Sequence, residues 1–174
     1  MRLSTEKKAH PPRDAKLKLT HYTDYSLRVL IYLAYKKGES STITEVADFH
    51  RISRNHLVKV VHSLGIHGYI HTLRGKGGGI RLARPPEDIL ISEVLQVMEP
   101  DFNLLECFNP AEDRCVITRV CSLKPALFEA RNAFFAALDK YTLADAIKLP
   151  AQSSPAFKSI PIVHGERLAE AHPQ

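Results

Sequence analysis

The stretch Arg74-Gly75-Lys76-Gly77-Gly78-Gly79 separates two short runs, Gly68-Tyr69-Ile70-His71-Thr72-Leu73 and Ile80-Arg81-Leu82-Ala83, and Pro85-Pro86 stops the second run. The pattern predicts a β-hairpin with a flexible, basic, glycine-rich tip. A nucleotide-phosphate loop is the other use of such a glycine run. This one lacks the Gly-x-x-x-x-Gly-Lys-Ser/Thr pattern and leads into a strand instead of a helix. What precedes the hairpin decides its meaning. Asp24 follows Thr23 as a first-turn acidic residue, and Leu27, Leu30, Ile31 and Ala34 recur at helical spacing until Gly38, which predicts a helix over roughly 23–37. Thr42-Ile43-Thr44-Glu45 fits a capping box that opens a short helix through about His50. After the break at His50-Arg51-Ile52, Ser53 is placed to cap a third helix. Its Leu57, Val60, Val61 and Leu64 form one apolar face, and Gly65 closes it.

Two short helices joined by a tight turn and followed by a basic hairpin describe a winged helix-turn-helix, whose second helix enters the major groove of double-stranded DNA. Ser53, Arg54 and Asn55 fall in the first turn of that helix, with Lys59 one turn on, where they reach phosphates or base edges. Arg74 and Lys76 lie on the wing, where glycine neighbours allow close approach and a narrow minor groove attracts cations. Charge distribution supports this. The whole chain of 174 residues carries a net +5, yet no acidic residue occurs between Asp48 and Glu87, a segment holding seven Lys or Arg. Residues 101–174 hold eight Lys or Arg against nine Asp or Glu. One-sided basicity of this kind suits phosphate binding through counterion release.

Behind the hairpin, Ser92 is placed to cap a helix carrying Val94, Leu95 and Met98, and an irregular loop follows. All three cysteines, Cys107, Cys115 and Cys121, lie in that loop within fifteen residues. An odd number of thiols rules out a disulfide scaffold. The Cys-x2-Cys knuckle usual for structural zinc is absent and no histidine lies between His71 and His164, which disfavours zinc without removing it. Soft thiolates at irregular spacing suit an iron-sulfur cluster, which then needs a fourth ligand from elsewhere. Three buried, hydrophobe-like cysteines are the plainer alternative. A long helix follows over about 122–140, and its Leu127, Ala130, Phe134, Ala137 and Tyr141 form a stripe that favours a partner helix, hence a homodimer.

The expected organisation is a disordered arm (1–17), a DNA-binding domain (18–99), a cluster-binding loop (100–121), a dimerisation helix region (122–148) and a flexible tail (149–174). The fold class is mainly α with a small β-hairpin wing, a winged helix-turn-helix plus a long dimerisation helix. No apolar run nears the roughly 18 residues of a membrane span, and no signal peptide is visible, so a cytoplasmic protein with no membrane partner is expected. No catalytic constellation stands at an interpretable spacing, and an enzyme is not expected.

Three segments carry a family resemblance: residues 19–30 (LTHYTDYSLRVL), residues 52–61 (ISRNHLVKVV) and residues 74–82 (RGKGGGIRL). Together with the cysteine loop and residues 138–145 (LDKYTLAD), they resemble the Rrf-class winged-helix iron-sulfur regulators, and among these the nitric-oxide-sensing repressors. The resemblance covers about residues 17–148. It implies a homodimer on a palindromic operator and an iron-sulfur cluster, 4Fe-4S with 2Fe-2S as the alternative, held by Cys107, Cys115 and Cys121. It further implies that Asp24 from the partner subunit supplies the fourth ligand, that Arg28 pairs with that carboxylate, and that nitric oxide is the signal. Sibling regulators of the class respond instead to iron or cluster supply. A zinc-stabilised winged-helix interaction module is the remaining alternative.

Overall fold

The computed structural model describes residues 18–75 and 78–148. The arm, the tail beyond residue 148 and wing residue Lys76 lie outside the described residues. Helix α1 (His21–Tyr35) runs through the middle of the molecule, with Val29, Leu30 and Leu33 at most 1% exposed. It begins two residues earlier than Thr23 suggested. Thr20 is the N-cap, and its side chain accepts from the Thr23 backbone N–H. Helix α2 (Ile43–His50) opens with the predicted capping box, in which Thr42 and Glu45 satisfy each other's backbone donors. Arg51 then adopts a left-handed conformation at φ 54°, turning the chain into α3 (Arg54–Ile66). Ser53 occupies the N-cap position of α3 without a side-chain cap bond. Gly65 lies inside the last turn, and Gly68, at φ 72°, is the glycine that lets the chain leave the helix.

Strands β1 (Ile70–Leu73) and β2 (Gly79–Leu82) pair antiparallel, with Ile70 opposite Leu82 and Leu73 opposite Gly79. Ile70 and Ile80 point into the core, while His71 and Arg81 face outward, as strand alternation requires. A bridge from Ser41 to Ile80, through two backbone bonds of 2.9 and 2.8 Å, ties the hairpin to the segment entering α2. The wing is therefore seated on the helix-turn-helix.

Helix α4 (Ile91–Met98) has Leu90 as its N-cap, and Ser92 is not the cap but a buried residue of the first turn. A second bridge, Leu90 to Thr142, explains the shift: Ile91 N–H donates to Tyr141 and Leu143 N–H to Ile89, so α4 and the short helix α6 (Leu143–Ile147) start from one clasp. Leu143 is fully buried there. Between them runs α5 (Leu123–Leu138), in which no residue is buried. The core thus belongs to α1–α4, the hairpin and α6, with α5 outside it.

Candidate nucleic-acid interface and cysteine loop

The four buried residues of α3 (Leu57, Val60, Val61, Leu64) fix the helix on the core and turn Arg54, Asn55, Lys59 and His62 to solvent. Ser53 and Arg74 are exposed as well, on the turn before α3 and at the wing. Four of the proposed DNA-reading residues therefore share one end or face of a single helix, and Arg74 leads into the hairpin tip. Gly75 has φ 96°. Gly78 and Gly79 are needed for a different reason: a Cβ at Gly79 would stand 2.6 Å from the Ser41 carbonyl oxygen, and one at Gly78 would stand 2.5 Å from that of Leu73. The glycine run is thus required for close backbone packing as well as for the turn.

Asp24 and Arg28 form an i, i+4 ion pair on the outside of α1, with Nη2 2.9 Å and Nε 3.0 Å from the carboxylate oxygens. The start of the same helix is clamped by Glu99, which follows α4. Its carboxylate accepts from the Thr20 backbone N–H at 3.2 Å and the Thr20 hydroxyl at 3.1 Å, and from the Thr23 hydroxyl. A carboxylate there also suits the positive end of the helix dipole. Sequence reading missed Glu99 because its partners lie 76 and 79 residues away and nothing local marks it.

The cysteines occupy distinct settings. Cys107 is 6% exposed, in a 3-10 turn (Glu106–Phe108). Phe108 pins that turn to α5: its ring centre lies 5.0 Å from that of Phe128, and the Arg131 guanidinium stands 5.3 Å from one ring and 4.1 Å from the other. Cys115 is half-buried, and its N–H donates to the Asp113 carboxylate at 3.1 Å, which also accepts from Thr118 Oγ1 at 2.8 Å. Cys121, also half-buried, lies one residue before Ser122, the N-cap of α5. All three thiols are free of disulfides. Around them Val116, Ile117 and Val120 are 97%, 53% and 83% exposed, an apolar rim that no other described residue covers. Among the described residues no three His, Cys, Asp or Glu side chains form a group that could hold a metal ion, so neither the cysteines alone nor the cysteines with Asp24 of the same chain converge.

Beside this loop, a cavity of about 490 Å³ opens between the start of α1 and α5, lined by Leu19, Phe102, Leu104, Ala130 and Phe134. No helix among the described residues is long and apolar enough to cross a membrane.

Comparison with known proteins agrees with this architecture. Residues 19–149 match the Rrf2 family, described as "Iron-dependent Transcriptional regulator". The chain is 56% identical over 133 residues to the HTH-type transcriptional regulator NsrR of Bacillus subtilis strain 168, covering 76% of this chain and 91% of that protein. It is 52% identical over 132 residues to the protein of the same name from Bacillus licheniformis, covering 75% and 92%. Among solved structures, CymR, the global cysteine regulator of B. subtilis, superposes with a TM-score of 0.62 at 25% identity, covering 75% of this chain and 96% of that one. T. potens IscR shares the fold, with a TM-score of 0.59 at 23% identity, covering 76% and 87%. The relatives are regulators of transcription and not enzymes, and with the winged helix-turn-helix in place, this chain belongs to the Rrf2 family of transcriptional regulators.

Proposed function

We propose that the protein is a homodimeric repressor that binds operator DNA through residues 18–99 and whose affinity is set by an iron-sulfur cluster that reacts with nitric oxide. The observation that carries this reading is the pairing, on one chain, of a basic winged helix-turn-helix with three disulfide-free cysteines in a fifteen-residue loop. Relatives that are 45–56% identical and bear the name NsrR support it.

Ser53, Arg54, Asn55 and Lys59 contact the major groove, and Arg74 and Lys76 the minor groove. Cys107, Cys115 and Cys121 are the thiolate donors of a 4Fe-4S cluster, and they fit it in kind: soft, free of disulfides, and held on a loop with little regular structure. Asp24 of a second copy is the fourth donor. Arg28 holds its carboxylate in place through the 2.9 Å ion pair. Such a cluster would supply an iron that carries one hard oxygen donor among soft thiolates, the position open to a small ligand such as nitric oxide. Asp24 would link the two subunits there, and so would help hold their recognition helices at the one-turn spacing that successive major grooves demand. Residues 100–121 serve as the cluster loop and 122–148 as the dimerisation region in this division of the chain.

The family description, iron-dependent regulator, favours one second reading, in which the same cluster reports iron or cluster supply. Anaerobic purification with a visible spectrum and iron and sulfide analysis tests the shared premise. The expected result is a coloured protein with equal iron and sulfide, whose colour is lost in Cys107→Ala, Cys115→Ala and Cys121→Ala. A colourless, zinc-containing protein would overturn it.

A further inference from the structure

One face of α1 carries the whole helix-turn-helix. Tyr22 donates its hydroxyl to the Lys59 carbonyl of α3 at 3.2 Å. The Tyr25 ring stacks with His56 of α3, ring centres 6.3 Å apart and planes 27° from parallel, and also with His21 at 5.7 Å. His50, the last residue of α2, donates from Nε2 to the Arg28 carbonyl at 3.1 Å. Positions 22, 25 and 28 follow i, i+3, i+6, so these contacts lie along one side of two helical turns. Those turns also bear Asp24, and Arg28 serves both ends, with its side chain on Asp24 and its carbonyl on His50. Beyond them Val29 and Leu30 are fully buried, so α1 is anchored in the core past its first two turns.

We propose that Tyr22 and Tyr25 are positioning residues that couple the Asp24 carboxylate to the recognition helix. This deepens the repressor reading and rests on it for the identity of the signal. When Asp24 is held, the two tyrosines set α3 at the depth and rotation that read DNA. When Asp24 is released, the same contacts carry the shift of α1 into α3. Loss of the Tyr22 hydroxyl or of the Tyr25 ring disconnects the two ends without removing any residue assigned to DNA or to the thiolate loop.

Two measurements test this. In the metal-free, isotope-labelled full chain, Arg28→Ala disturbs the hold on Asp24 directly, and the backbone amide signals of residues 54–62 report on α3. The proposal expects those signals to move in the otherwise unaltered chain and to stay in place when Tyr22→Phe and Tyr25→Leu are also present, with Tyr25→Phe restoring the response because it keeps the stack. Equal movement with and without the tyrosines, or no movement in either, overturns it. In the loaded protein, the ratio of operator affinity before and after nitric oxide is expected to fall by at least about threefold in Tyr22→Phe. A purely structural defect would weaken both affinities alike and leave the ratio unchanged, and that result also overturns the proposal. If the unaltered protein shows no nitric oxide effect at all, the repressor reading fails, while the amide measurement still decides the coupling.

Discussion

Gly79 shows how a single atom decides the wing. A side-chain Cβ there would meet the backbone of Ser41 at 2.6 and 3.0 Å, and backbone cannot swing aside as a side chain does. Gly79→Ala is therefore expected to open the Ser41–Ile80 bridge, with a loss of roughly 1–3 kcal/mol in urea unfolding and weaker operator binding. Unchanged stability would mean that the bridge does not anchor the hairpin. His50 makes a second prediction. Burial pushes its pKa below the ordinary value, outweighing the Arg28 carbonyl bond and the Asp24 charge, which raise it, while the Arg28 charge also lowers it. The unfolded chain therefore takes up a proton first as pH falls. Stability from this group is complete above roughly 6.5, the ordinary histidine value, and declines as pH drops through the lower folded value. Denaturation at about pH 7.5 and about pH 5.5 should show a smaller loss in His50→Gln than in the unaltered chain. An identical loss would remove His50 from the account. Asp24 was legible at this scale only as a first-turn helix charge, and its pairing with Arg28 came from the resemblance. Glu99 was not, since its bonds to Thr20 and Thr23 exist only after α4 has folded back on α1.

Local signals read well where an element depends on its own sequence. The capping box of α2, the apolar face of α3 and the two strands stand within a residue or two of their expected places. Distant contacts account for the misses. Glu99 recruits Thr20, so α1 starts early; the Leu90–Thr142 bridge starts α4 before Ser92 and creates α6, too short to show a period of its own. The turn into α3 is built on Arg51 in a left-handed conformation that sequence rules assign to glycine. Among the described residues, none buries any residue of helix α5. Ala130 lies on the apolar stripe of that helix and is exposed, so Ala130→Glu leaves the fold unstrained in one chain while placing a charge in a dimer seam. Sedimentation velocity is expected to show conversion to monomer with unchanged circular dichroism. A dimer of undiminished stability would exclude this face of α5 as the interface.

At the scale of the whole molecule, the basic segment and the cysteine loop are separate in sequence but meet at α1, which seats α3 on one side and is clamped by Glu99, the residue leading into the loop, on the other. The fold explains how one helix can serve both ends. Among the described residues, α5 has no buried residue and Val116, Ile117 and Val120 are exposed, the surface a second copy would cover in the proposed dimer. The cluster and the signal were accessible in the sequence only through resemblance, because cysteine spacing alone fits more than one metal. The most direct measurement is a titration of the anaerobically purified, iron-loaded protein with nitric oxide while operator binding is followed by fluorescence anisotropy. Binding is expected to be lost in step with the visible absorption, and Asp24→Ala is expected to bind the operator more weakly before any nitric oxide is added. Operator binding that persists unchanged after the absorption has been lost would contradict the proposed function.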